Sequence, residues 1–284
     1  MIVTPNLFGE IRTLIEDTKK QVAITVNASL AMLYWNIGKR INEEVLLQNK
    51  ADYGKQVVAS LSKQLTESYG SGWSQRHLFY CIKFAEVFYE KEILHTLCAK
   101  LSWSHIRLII NMEDSLKRMF YIEMCSLERW SVRQFQERIQ SMLFERTAIS
   151  KKSEETIKNE LSQLKNEQKI SADLVFRDPY FLDFLGLKDT FSEKDLETAI
   201  IAELQRFITE MGNDFAFMAR QKRITIDNRD YKIDLLFYHR RLKCLVVIDL
   251  KIGEFDAAHK GQMELYLRFL ENMKWLKAKI HQLG

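Results

Sequence analysis

From residue 7 to residue 47 the apolar positions recur at helical spacing. Leu14, Val22, Val26, Leu30, Leu33, Tyr34, Ile37 and Ile41 mark one side of one long helix or of two. Val57 to Tyr69 predicts a further helix, ended by Gly70-Ser71-Gly72, and Ser74 caps the next one, which carries Phe79, Ile82, Phe84 and Val87. Ser102 or Ser104 opens another, Lys117 to Cys125 forms one more, and Ser131 caps a helix reaching Phe144. Residues 1–150 therefore read as an all-α domain. Residues 151–172 are rich in Lys, Glu, Ser and Asn with sparse apolar positions, the pattern of a solvated helix or a linker.

Beyond this the period changes. Ser192 to Met211 predicts one helix with Gly212 as its stop, and Phe215 to Ile226 predicts a strand leading into an Asp227-Asn228-Arg229 turn. Leu235 to Tyr238 and Cys244 to Ile248 are β-prone runs joined by the tetrad Arg240-Arg241-Leu242-Lys243, a hairpin signature. A helix from Asp256 to Met273 follows. The fold class is α+β: a helical N-terminal domain, then an α/β domain over residues 173–284.

The hairpin carries charges for which a buried strand has no structural use. A four-residue loop pairs His239 with Cys244, and counting back along the ladder sets Asp234 opposite Asp249, roughly 5 Å apart between Cβ atoms. Lys251 is two residues from Asp249 and points to the same side. Two carboxylates held together need a compensating cation. Mg²⁺ or Mn²⁺, taking oxygen ligands and sharing them with a substrate phosphate, meets that need, and Lys251 then neutralises phosphate or helps activate water. The plainer alternative is a cross-strand Asp with a Lys salt bridge.

One Asp on a strand and Asp249-Leu250-Lys251 on the next resemble the PD-(D/E)XK nuclease superfamily. Phe-Ala-Phe-Met-Ala-Arg-Gln at 215–221, Ile-Asp-Leu-Leu-Phe-Tyr-His-Arg-Arg-Leu at 233–242 and Leu-Val-Val-Ile-Asp-Leu-Lys-Ile-Gly at 245–253 extend the likeness to the YhcG-like family. That resemblance implies a restriction-endonuclease-like domain and a metal-dependent endonuclease acting on DNA. It implies the Leu250 main-chain carbonyl as a further metal ligand, and Gln262 and Tyr266 as side chains at the metal site or the DNA. It also points to an acid from the preceding helix. Glu197 lies on that helix's apolar arc and is the first candidate, Glu203 the second; a Glu favoured by the helix dipole is the alternative for Glu197. In this fold one more strand should follow the last helix. Residues 272–284 are Lys-rich and lack a β-branched run, so the chain reads as truncated, with that strand missing.

Composition adds less. With 284 residues, 46% hydrophobic and 28% charged, the chain has ordinary soluble composition and room for two cores. Its four scattered cysteines suggest neither a disulfide scaffold nor a metal knuckle, and no apolar run approaches a membrane span, so a cytoplasmic protein without membrane contact is expected. The net charge of +4 is small, but residues 220–243 hold eight basic against three acidic side chains, a local excess suited to a phosphate backbone. Arg220, Gln221, Arg240 and Arg241 are candidates there, and Arg76 and His77 are candidates on the second helix of a helix-turn-helix-like pair. Plain packing and a solvated strand face are the alternatives. Because one domain of this kind has one active site, cutting both strands implies a homodimer by analogy. The rival function is a non-catalytic DNA- or partner-binding module built on a degenerate nuclease fold.

Overall fold

The structure is a computed structural model describing residues 5–46, 51–89, 91–187, 191–212, 214–253, 256–272 and 277–280. The chain divides into two compact units, residues 1–137 and 138–284.

The first unit is helical. It contains α1 (Pro5–Leu46), α2 (Ala51–Tyr69), α3 (Gln75–Val87), α4 (Lys91–Lys100), α5 (Trp103–Ile109), α6 (Ser115–Glu128) and the start of α7 (Val132–Gln140). The first hydrophobic stretch is thus one helix of 42 residues. Its C-terminal half is the packed half, burying Ala31, Trp35 and Ile41. Where it crosses α3 the backbones nearly touch, because a Cβ built on Gly38 would lie 1.9 Å from the Cys81 carbonyl oxygen. Only glycine permits that approach. Ser74 caps α3 as expected, accepting the His77 N–H, and Ser102 caps α5 with His105 in a reciprocal arrangement. His105 also meets the Trp130 carbonyl at 3.1 Å, so it is a hydrogen-bonded structural residue.

In the second unit the helix that begins in α7 breaks at Ser141 and Met142 before α8 (Leu143–Arg146), where Met142 takes a left-handed φ of 52°. The polar stretch after residue 151 is a helix, α9 (Glu154–Glu167), whose Ile157, Leu161 and Leu164 are buried. Its sparse apolar residues are thus a core-facing stripe. After the short α10 (Ala172–Val175), the helix expected from Ser192 to Met211 is instead α11 (Glu193–Ala202) and α12 (Leu204–Met211). The break is at Glu203, whose φ of −105° and ψ of 29° lie outside the helix region.

Four strands form one sheet in the order β1 (Phe215–Ile226), β2 (Arg229–His239), β3 (Cys244–Ile248), β4 (Lys277–Ile280). β1 and β2 are joined by Asp227 and Asn228, both with positive φ, the geometry of a two-residue hairpin turn. β2 and β3 pair with His239 opposite Cys244, the register that the four-residue loop predicts. α13 (Ala257–Asn272) covers one sheet face, where its Met263, Tyr266 and Leu267 join Leu236 and Val247 in a buried cluster. On the other face Phe207 of α12 meets Phe237, ring centroids 6.0 Å apart.

One expectation is corrected. A strand does follow α13: β4 pairs in parallel with β3, Cys244 to Lys277 through Val247 to Ile280. A four-residue strand does not need a β-branched run when its backbone bonds are supplied by a buried neighbour, which is why composition concealed it. Met273, the predicted end of α13, and residues 281–284 of the Lys-rich tail lie outside the described residues.

Candidate active site on the hairpin

The β2–β3 register extended by one pair sets Asp234 opposite Asp249, just where the ladder gives way to the Leu250 turn. Their surroundings differ. Asp234 is compensated by two N–H donors: the Leu250 backbone N–H reaches Oδ2 at 2.8 Å and the Gln221 amide reaches Oδ1 at 2.9 Å. Asp249 is buried, and burial pushes its carboxyl pKa up; Lys251 opposes this and the facing Asp234 adds to it. The Lys251 ammonium lies 3.0 Å from Asp249 and 3.8 Å from Glu193. Burial would lower the lysine's pKa, but these carboxylates outweigh it and the net shift is upward. The ammonium therefore stays charged at neutral pH.

Glu197, one turn into α11, is buried at the same place. The amide nitrogen of Gln221 donates to Glu197 Oε2 at 2.7 Å as well as to Asp234, so one side chain ties the helix acid to the strand acid. Gln221 is level with Asp234 on the β1–β2 ladder and has a φ of 45°, in the left-handed region. Such a conformation in a non-glycine residue costs about 1–3 kcal/mol and must be held by its surroundings. Glu197 Oε1 is buried without a hydrogen bond, although Arg220 Nε is 3.2 Å away as an ion-pair contact.

The remaining candidates take varied positions. Tyr266 is buried beside the acids, accepts from Gln262 and donates to the Lys232 carbonyl at 2.9 Å; burial and the nearby Asp249 and Asp234 raise its pKa. Arg240 and Arg241, in the loop beyond the end of β2 and six and seven residues along the chain from Asp234, both pair with the buried Asp214. Glu203 is half-exposed and pairs with Arg206. In the helical unit, Arg76 is exposed and lies over Tyr80, whereas His77 enters an aromatic cluster with Tyr34, Trp73 and Trp103. Burial lowers the His77 pKa, with Arg107 adding to the effect, so the ring is neutral at pH 7. The four cysteines are buried, and burial raises the Cys81 and Cys125 thiols to about 12.

Sequence reasoning missed the bridging place of Gln221 and the contact of Glu193 with Lys251. The first depends on a left-handed residue inside a strand, for which the sequence has no marker. Glu193 lies on the first turn of α11, and its contact with Lys251 joins two elements distant in sequence, which helical periodicity does not mark. Beside Lys251 a cavity of about 580 Å³ opens, lined by Tyr180, Phe191, Leu196, Ile200, Ile252 and Gly253 among others. Arg177, Asp178 and Asp183 line it as well, so its wall mixes charged and apolar side chains.

Divalent metal is the compensating group such acids call for. Among the described residues no three His, Cys, Asp or Glu side chains stand close enough to hold an ion as they are placed. Gln221 fills the space between Glu197 and Asp234. The donor set nonetheless suits a hard cation: three carboxylates and the Leu250 carbonyl offer oxygen atoms, and Glu197 Oε1 is a buried oxygen without a hydrogen bond.

Two family models match the chain: the DUF1016 N-terminal domain over residues 10–146 and the YhcG PDDEXK nuclease domain over residues 173–282. A protein of Escherichia coli (strain K12) named "Putative nuclease YhcG" is 33% identical over 287 residues, covering 90% of this chain and 76% of that protein. No solved structure matches the chain significantly.

Proposed function

Since the chain belongs to the YhcG family, with a PDDEXK nuclease domain in its C-terminal half, we propose that it is a metal-dependent endonuclease hydrolysing phosphodiester bonds in DNA. The observation that carries this reading is the juxtaposition of Asp234 and Asp249 across the hairpin with Lys251 at 3.0 Å. Structural stability gives no reason to bury a carboxylate whose charged form its surroundings disfavour.

Asp234, Asp249, Glu197 and the Leu250 carbonyl would hold Mg²⁺ or Mn²⁺, which when bound supplies Lewis-acid polarisation of the phosphate and a more acidic water. The protein's own groups do the rest. Asp234 is fixed by the Leu250 N–H, so the acid and the start of the Asp249-Leu250-Lys251 turn move as one. Lys251, kept charged by Asp249, neutralises negative charge gathering on the phosphate oxygens as water adds and the ester oxygen leaves. It is an electrostatic stabiliser and not the base. Hydrolysis leaves one phosphate end and one hydroxyl end. Gln221 positions Glu197 against Asp234, and Arg220, paired to Glu197 and half-exposed, borders the path of the backbone.

The test is cleavage of plasmid, linear, single-stranded and branched DNA with Mg²⁺ or Mn²⁺, using the parent and Lys251→Ala. Cutting that needs both metal and Lys251 supports the proposal; a folded parent that shifts DNA in a gel without cutting it supports the binding-module alternative.

A further inference from the structure

Among the described residues the C-terminal half of α1 is occupied by packing, whereas its N-terminal half leaves a row of apolar side chains exposed. Leu7, Ile11, Leu14, Ile15, Val22 and Val26 are 46–67% exposed. At 100° per residue they share one arc of about 120°. Thr18 and Thr25 fall in the same arc, and their hydroxyls donate back to the Leu14 and Gln21 carbonyls at 2.8 and 3.0 Å, so neither offers its proton outward. An apolar strip this long on one helix marks an interaction surface, since most helical stability in water comes from packing such a face.

The borders of the strip identify the occupant. Arg12 and Lys19 flank it on one side, Glu10 and Asp17 on the other, each pair seven residues apart. Lys19 also contacts Glu16 on its own helix at 3.3 Å, an exposed pair that does not neutralise the border. Two copies laid face to face and parallel set the basic border of each against the acidic border of the other, on both sides. Antiparallel copies set like against like. From Leu7 to Val26 the strip is about 28 Å long at 1.5 Å per residue. An anionic lipid surface would require a basic polar face, whereas residues 10–20 carry three basic and three acidic side chains.

We infer that the first half of α1 is a dimerisation surface, seated in parallel on the same segment of a second copy of this chain. The inference stands apart from the metal site.

Analytical ultracentrifugation of the full chain is expected to give a dimer. Leu14→Asp with Ile15→Asp should weaken association by about 100-fold or more, since two large apolar side chains are lost from the interface. Glu10→Lys with Asp17→Lys, which leaves the strip intact, should also weaken it, and adding Arg12→Glu with Lys19→Glu should restore it. Ile11→Cys should form a disulfide-linked dimer under mild oxidation, the four native cysteines being buried. A monomeric parent, or a dimer unaffected by the Leu14 and Ile15 changes, overturns the surface. A dimer that fails to cross-link through Ile11→Cys, or is not restored by charge exchange, overturns the parallel arrangement.

Discussion

The backbone N–H of Leu250 donates to Asp234 Oδ2 at 2.8 Å, joining the end of one strand to the acid facing it. This bond explains how the turn after β3 is aimed. It also makes Asp234 structurally different from Asp249, although the ladder sets them side by side. Asp234→Ala leaves the Leu250 N–H without its acceptor and should destabilise the metal-free protein by about 1–3 kcal/mol. Urea unfolding with unchanged m-value would measure it.

Asp249→Asn should have the opposite effect. Burial and Asp234 raise the Asp249 pKa, so the folded protein holds that proton more tightly than the unfolded chain. The group's favourable contribution is complete below the ordinary carboxylate pKa and is lost as pH rises through the raised value. At neutral pH without metal, Asp249→Asn should therefore raise the melting temperature of the second unit. The difference from the parent should fade as pH falls into the ordinary carboxylate range. Calorimetry across that range checks the sign, and cleavage should be lost in the same variant.

Gln221→Met keeps the length of the side chain and removes both N–H donors to Glu197 and Asp234. Hydrogen bonds to charged groups contribute about 1.5–3 kcal/mol each, so the metal-free variant should unfold at lower urea. Saturating Mg²⁺ should narrow its deficit relative to the parent, because the cation supplies the compensation that the amide supplied. A deficit that Mg²⁺ leaves unchanged would mean that the amide serves packing alone.

Gly38→Ala tests the helical unit. With the Cys81 carbonyl 1.9 Å from the new Cβ, α1 and α3 must move apart, and the cost should reach about 3 kcal/mol, the upper end of ordinary overpacking. Thermal unfolding followed by circular dichroism measures it.

Much of the site was legible because β-structure is periodic. Once a four-residue loop set His239 against Cys244, the ladder fixed Asp234 opposite Asp249 with no further information. Glu197 was readable as a carboxylate on a helix's apolar arc, and it is buried. Tertiary choices were not legible. Gln221 reaches both acids through a left-handed φ that no local preference favours, and Arg240 and Arg241, which read as phosphate contacts, are held by Asp214 from a different strand end. β4 was hidden for a related reason: a short strand relies on pairing with its neighbour, and pairing leaves little trace in composition. The break at Glu203 is a backbone feature that the continuous apolar arc of residues 200–211 concealed.

Cleavage by Lys251→Ala decides whether the Lys251 ammonium acts in phosphodiester hydrolysis. With DNA and Mg²⁺ at neutral pH, and with folding matched to the parent by circular dichroism, this variant should cut at least about 100-fold more slowly, the loss expected for one electrostatic stabiliser of transition-state charge. Parent-level cutting by the variant would mean that the ammonium that Asp249 keeps charged has no part in the chemistry.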